Sequence, residues 1–244
     1  MGYKIRIALL GTVFLCAWSA AVGSAAEVRG RVSVIGQNGA LHAGLEDGVV
    51  LWLTPLPSGV NSEFRAPGNA PHRMLVQKNK HFNPHVLAVQ VGLVVDFPNH
   101  DPFFHNVFSL FNGKRFDLGL YEAGATRSVH FDRAGICYIF CNIHPQMSAV
   151  VVVVDTPYFT LANDKGEYLI SSVPAGNYRL NVWEERCTPE ALKELSREVV
   201  VGQGEMTIGS IELHESRRMV MLHPDKYGKS YDPQIFSSPI YAQP

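Results

Sequence analysis

Most of this chain is written in strand-length runs of β-branched and aromatic residues, each closed by Gly, Pro, Asn or Asp. "EVRGRVSVIG" alternates its valines with polar residues, "GVVLWLTP" follows, and "HVLAVQVGLVVDFPN" holds two runs broken at Gly92. "RSVHFDRAG", "ICYIFC" and "SAVVVVVD" come next. "GEYLISSVPAGNYRLNVWEE" reads as a hairpin-like pair around Pro174-Ala175-Gly176, and "REVVVGQGEMTIGSIEL" supplies the last strands. Period-two alternation with turn residues at this spacing predicts an all-β chain made of sandwiches. Only "TPEALKELS" reads as a helix, with Thr188 as its cap and Pro189 in its first turn.

The chain has 244 residues, 46% hydrophobic and 18% charged, which leaves room for one or two domains. A net charge of −1 gives no basic field for nucleic acid. Residues 1–26 read as a targeting signal: Lys4 and Arg6 lead, Ile7 to Val22 is apolar, and Ser24-Ala25-Ala26 offers small residues for cleavage. The expectation is export, to a periplasm or beyond, with no membrane span after cleavage. The longest remaining apolar run, "SAVVVVVD", has only the length of a strand. Removing Lys4 and Arg6 takes the net charge from −1 to −3. It also removes Cys16, leaving Cys137, Cys141 and Cys187, an odd number for an exported chain. Residues 56–73 and the tail 217–244 are rich in turn formers and aperiodic, and are expected to lie on the surface.

"GICYIFCNIHPQM" concentrates the chemistry. In a strand, Cys137, Ile139 and Cys141 point the same way, and four residues separate the cysteine backbones by ~13 Å. A disulfide needs Cα atoms within about 7 Å, so pairing of Cys137 with Cys141 is disfavoured. Cys137 then reads as a small buried residue. Cys141 sits where strand becomes loop, within reach of His144 and Met147. Thiolate, imidazole and thioether together suit a soft ion. Structural zinc is normally held without Met. A trigonal copper site wants one more His from another strand. "DPFFHNVFS" supplies His105 upstream.

These residues resemble the copper-binding half of a cupredoxin. "VGLVVDFPNHDPFFHNVF" followed by "AGICYIFCNIHPQM" is similar to the plastocyanin and amicyanin family, including blue copper proteins of the methylamine-utilisation type, over residues 76–155. The resemblance implies a Greek-key β-sandwich holding one type 1 copper. His105, Cys141 and His144 would be the equatorial ligands and Met147 the long axial one. It also implies that the Asn106 side chain locks the two ligand stretches together, and that the His144 ring edge reaches the surface inside an apolar rim of Phe103, Phe104, Ile143 and Pro145. Two other readings use the same residues. They are core packing alone, or a dinuclear copper centre that also takes Cys137, whose His would lie one residue further from the second cysteine. An oxidase cluster needs His-x-His pairs, and the chain contains none.

Residues 156–214 resemble the carboxypeptidase regulatory-like, transthyretin-like sandwich. The signs are the turns at Asn163-Asp164-Lys165-Gly166 and Pro174-Ala175-Gly176-Asn177-Tyr178. The first strands of that family are matched at 28–35 and 49–54, so residues 27–75 are assigned to this second, smaller sandwich, with the copper domain inserted into it. Residues 215–244 form an extended tail. No catalytic constellation stands out in the second sandwich. The expected function is transfer of single electrons to and from a transient redox partner protein, with no catalysis of its own. The alternative is a copper carrier or store, in which His81 and His85 would form a second loose site. His100 reads as a surface residue and Cys187 as a buried free thiol.

Overall fold

The computed structural model describes residues 25–41, 48–56, 64–110, 114–216 and 223–231. Residues 1–24 of the stretch read as a targeting signal, part of the first connector (57–63) and the tail at 217–222 and 232–244 lie outside the described residues.

Two strands open the described chain, β1 (Ala26–Ile35) and β2 (Val50–Pro55). β1 begins at the last residue of the stretch read as a targeting signal, where Ala26 is already paired with Val173. Ten strands follow: β3 (Arg73–Met74), β4 (Val76–Lys78), β5 (His81–Asn83), β6 (Val86–Gln90), β7 (Val94–Pro98), β8 (His105–Ser109), β9 (Phe116–Tyr121), β10 (Thr126–His130), β11 (Gly135–Cys141) and β12 (Ser148–Val154). The chain continues with β13 (Phe159–Leu161), β14 (Glu167–Val173), β15 (Gly176–Trp183), α1 (Pro189–Leu195), β16 (Arg197–Val201), β17 (Glu205–Thr207) and β18 (Ile211–His214). Among the described residues α1 is the one helix, so the chain is all-β as its periodicity predicts. No helix among them is long and apolar enough to cross a membrane. The helix starts as expected: Thr188 caps it, its hydroxyl accepting from the Ala191 N–H, and Pro189 stands in the first turn.

The strands form two sandwiches. In the first, a five-stranded sheet β6-β12-β11-β8-β9 faces β10-β7-β3 across a core that includes Val95, Phe97, Val107, Phe131, Ile139 and Val151. In the second, β14-β1-β17 with β18 beside β1 faces β13-β2-β15-β16 across Val28, Val32, Leu51, Leu53, Ile170 and Leu180. β1 and β2 thus pair with strands that come after residue 155.

A third apolar cluster joins the sandwiches, with Val86, Ala88, Val150, Val152 and Val154 packed against Val50 and Trp183. This explains "SAVVVVVD". Val151 and Val153 face the first core while Val150, Val152 and Val154 face the neighbouring sandwich. A strand buried on both faces reads as an unbroken apolar run. His85 adds a polar tie at this junction, its Nε2 2.6 Å from Glu185 Oε2.

Gly92 breaks the run before β7 as the sequence predicts, at φ +96°, a conformation that costs other residues a Cβ clash. Two expectations are corrected. β14 and β15 are not a hairpin: β14 pairs with β1 and β15 with β2, in opposite sheets. Pro174 cannot take the positive φ that tight hairpin turns require, and Ser172 at φ +60° bends the end of β14 away. Residues 64–75, assigned by sequence to the N-terminal strands, belong instead with the first sandwich. The Ala66 N–H donates to Val91, the Leu75 N–H donates to Asp96, and β3 pairs in parallel with β7. An otherwise open strand edge gains partners this way.

Candidate metal centre

The first sandwich brings its chemistry together at one end of the five-stranded sheet. β8 and β11 are antiparallel neighbours, with Cys141 opposite Val107. His105 lies two residues from Val107 on the same face, so it is the diagonal neighbour of Cys141 across the ladder. The chain then turns through residues 142–147. The Met147 N–H donates to the His144 carbonyl at 2.9 Å, and the Cys141 N–H donates to the Met147 carbonyl at 3.2 Å. These two bonds fold His144 back over Cys141 and bury the Met147 side chain to 1% exposure.

Three donor atoms converge. His105 Nδ1 is 3.5 Å from Cys141 Sγ, Cys141 Sγ is 3.6 Å from His144 Nδ1, and the two Nδ1 atoms are 3.2 Å apart. This trio is the one group of this kind among the described residues. Phe103 packs against both imidazoles, with ring centroids 5.3 and 5.4 Å away. Of the expected apolar rim, Phe104 is exposed, Phe103 and Ile143 are half-buried, and Pro145 is buried. His144 as a residue is only 5% exposed, so it is more buried than the expected surface-reaching ring.

The protonation of the cluster follows from its surroundings. Burial holds His144 down at about 4, aided by the charges of His105 and Lys80. Burial also lowers His105, against the pull of Asp101. Both rings are therefore neutral near pH 7, the form that binds metal. Burial raises the Cys141 thiol, while backbone hydrogen bonding from Asn106, Ile143 and His144 works to hold its anion. Two imidazole nitrogens and a thiol with no competing carboxylate among them form a donor set suited to copper. Binding would displace the thiol proton.

Sequence reasoning passed over Asp101. Its carboxylate is 4% exposed and faces His105 Nε2 at 2.9 Å. It also accepts from the N–H groups of Asn79 and Lys80. It therefore fixes the His105 tautomer and leaves Nδ1 free to face the sulfur. An acid four residues before a candidate ligand was the available signal. His100, the residue weighed instead, is exposed. The role expected of the Asn106 side chain is corrected as well. Its amide donates to Asp117 Oδ1 at 2.6 Å and to the Gly119 carbonyl, while its backbone carbonyl joins the ligand stretches by accepting from the Asn142 N–H at 2.9 Å. Continued β-ladder pairing makes that link without any side chain.

Cys137 is a buried free thiol 3.3 Å from Ser109 Oγ, as its strand position predicts, and it stands outside the donor trio. His81 and His85 do not converge: His81 Nδ1 is 2.7 Å from the Asn79 carbonyl, and His85 holds Glu185.

Comparison with protein-family models gives no match, and comparison with curated protein sequences gives none. Solved structures do match. A point mutant of amicyanin in its reduced state is 23% identical with a TM-score of 0.32, over 39% of this chain and 96% of that one. A purple cupredoxin from Nitrosopumilus maritimus is 24% identical with a TM-score of 0.31, over 35% of this chain and 100% of that one. A copper-containing nitrite reductase from Thermus scotoductus SA-01 is 22% identical with a TM-score of 0.33, over 42% of this chain and 26% of that one.

Proposed function

We propose that this chain is an exported copper protein of the cupredoxin type that passes single electrons through one type 1 site. The observation that carries this reading is the buried meeting of His105 Nδ1, Cys141 Sγ and His144 Nδ1 within 3.6 Å of one another. In it, His105, Cys141 and His144 hold the metal and Met147 is the weak fourth donor. Bound copper supplies a one-electron couple. The chain supplies stiffness: β-ladder pairing fixes His105 and Cys141, Asp101 fixes the His105 ring, and loop hydrogen bonds fix His144. A donor set that does not rearrange keeps the reorganisation energy of electron exchange small. The burial of Cys141 and Met147 excludes water from the sulfur donors. The partner is a redox protein docking transiently, and Phe104, 51% exposed beside the site, is the apolar contact offered to it. The second sandwich is read as a regulatory-like module with a structural or docking role. No reaction on a substrate is assigned to the chain. A copper carrier is the lesser reading, because His81 and His85, which would have fed such a site, are engaged separately.

The deciding measurement is the visible spectrum after adding Cu(II), compared with Cys141→Ser. An intense thiolate-to-copper band that bleaches with reductant and is absent in the variant is expected. A folded chain with no such band overturns the type 1 reading. A purple dinuclear spectrum would bring Cys137 into the site.

A further inference from the structure

The loop that carries His144 is held from outside by a segment that follows the second sandwich. His223 lies flat on Phe140, the residue before Cys141, with ring centroids 3.9 Å apart and planes 22° apart. Its Nε2 is 3.0 Å from the carbonyl oxygen of Pro145, the residue after His144. Its Nδ1 lies 2.8 Å from the carbonyl of its neighbour Pro224, so the neutral ring donates to one carbonyl at a time, and in the Nε2–H tautomer it donates to Pro145. Three residues on, the Lys226 N–H donates to Asn142 Oδ1 at 2.9 Å, inside the same loop. Lys226 Nζ pairs with Asp117 Oδ2 at 2.8 Å, and the other Asp117 oxygen accepts from Asn106, next to His105. The Tyr231 ring closes edge-on against His223 at 5.4 Å, with its hydroxyl buried and without a hydrogen-bond partner. Sequence alone assigned this segment to an aperiodic surface tail. Yet His223 is 8% exposed, and Pro145 beneath it is buried.

We propose that residues 223–231 are a strap belonging to the metal centre, with His223 and Lys226 as positioning residues for the 142–147 loop. The strap touches both ligand stretches, one through Phe140, Asn142 and Pro145 and the other through Asp117 and Asn106. It holds the loop against the sheet and closes the His144 side of the site to reagents and chelators. Its effect on metal release rests on the copper reading; its effect on access to Cys141 does not.

The test is alkylation of the metal-free full chain with iodoacetamide, followed by mass spectrometry on the Cys141 and Cys187 peptides. His223→Ala is expected to speed labelling of Cys141 about tenfold, the worth of one buried hydrogen bond and its stacking, with Cys187 unchanged. His223→Gln keeps an N–H donor for Pro145 and is expected to restore most of the protection. Copper-loaded His223→Ala is expected to lose metal to a chelator faster by a similar factor. Unchanged labelling of Cys141 in His223→Ala overturns the strap. If every cysteine labels faster, Lys226→Ala decides: acceleration confined to Cys141 supports the strap, and none overturns it. A wild-type chain without a thiolate–copper band sinks the copper reading alone, and the alkylation result still stands.

Discussion

Cys141, at the end of β11 in the first sandwich, and Cys187, in the turn between β15 and α1 in the second, are both buried thiols, and their neighbours make them chemically different. Cys141 is surrounded by nitrogen: two imidazoles across the gap and backbone N–H groups from Asn106, Ile143 and His144. Cys187 sits near Glu184 and Glu215, its Sγ 3.4 Å from the His214 carbonyl. Burial and the two acids push it up to about 12, against the weaker pull of Arg186. Burial opposes an anionic sulfur at both, but N–H groups of Asn106, Ile143 and His144 work to hold it at Cys141, whereas acids add to the opposition at Cys187. A buried cysteine thus acquires a function from the groups opposite it, and those come from elsewhere in the chain.

Acid is the widest test of that contrast. In the unfolded chain a histidine titrates near 6.5, whereas folded His144 is held at about 4. The unfolded state therefore binds a proton first as pH falls. Stability of the metal-free first sandwich should be full above about 6.5 and fall as pH drops from there toward 4, by up to about 3 kcal/mol from this residue. His105, lowered in the same direction, adds to the effect. Hydrogen exchange measured peptide by peptide, corrected for the intrinsic rate at each pH, checks it. Residues 135–154 should lose protection while residues 26–35 keep theirs. Equal loss in both sandwiches would erase the distinction.

A narrower test removes one carboxylate from the metal end. Asp101→Asn keeps an acceptor for a loop N–H but takes away the charge behind His105. Copper affinity, measured by chelator competition, should fall by about 10- to 100-fold. Thermal unfolding of the second sandwich, followed through Trp183, should be unaffected. An unchanged affinity would mean that ladder pairing alone orients His105.

The smallest effect sharpens the contrast from the other side. Thr188→Ala removes the hydroxyl that accepts from Ala191 at 3.2 Å, and should cost about 1 kcal/mol of stability in the second sandwich. The copper band should keep its position and intensity. A shifted band would show that the apolar junction around Val152 and Trp183 couples the two sandwiches.

The all-β class, the break at Gly92 and the helix capped by Thr188 were legible because they depend on local period and local backbone preference. The hairpin expectation failed at Pro174 because alternation says which face a residue takes, not which sheet a strand joins. "SAVVVVVD" read simply as a strand, and its burial on both faces became visible only with the second sandwich packed against it. At the site, residue types and spacing drew attention to His105, Cys141, His144 and Met147. Asp101 was missed because carboxylates are common beside turns, and only its burial against His105 Nε2 sets it apart.

What the sequence determined by itself was chemistry and reach: soft sulfur and imidazole donors within one short loop, a further histidine upstream, and strands enough for two sandwiches. Those follow from side-chain type and from the two-residue period of the strand. What tertiary structure decided was convergence. Antiparallel pairing of β8 with β11 sets His105 diagonally across from Cys141. Strands from both sides of the first sandwich combine to make the second. A residue as distant as His223 comes to rest on the ligand loop. Each of these contacts joins groups far apart in the chain, and local sequence carries no record of partners brought together only by folding.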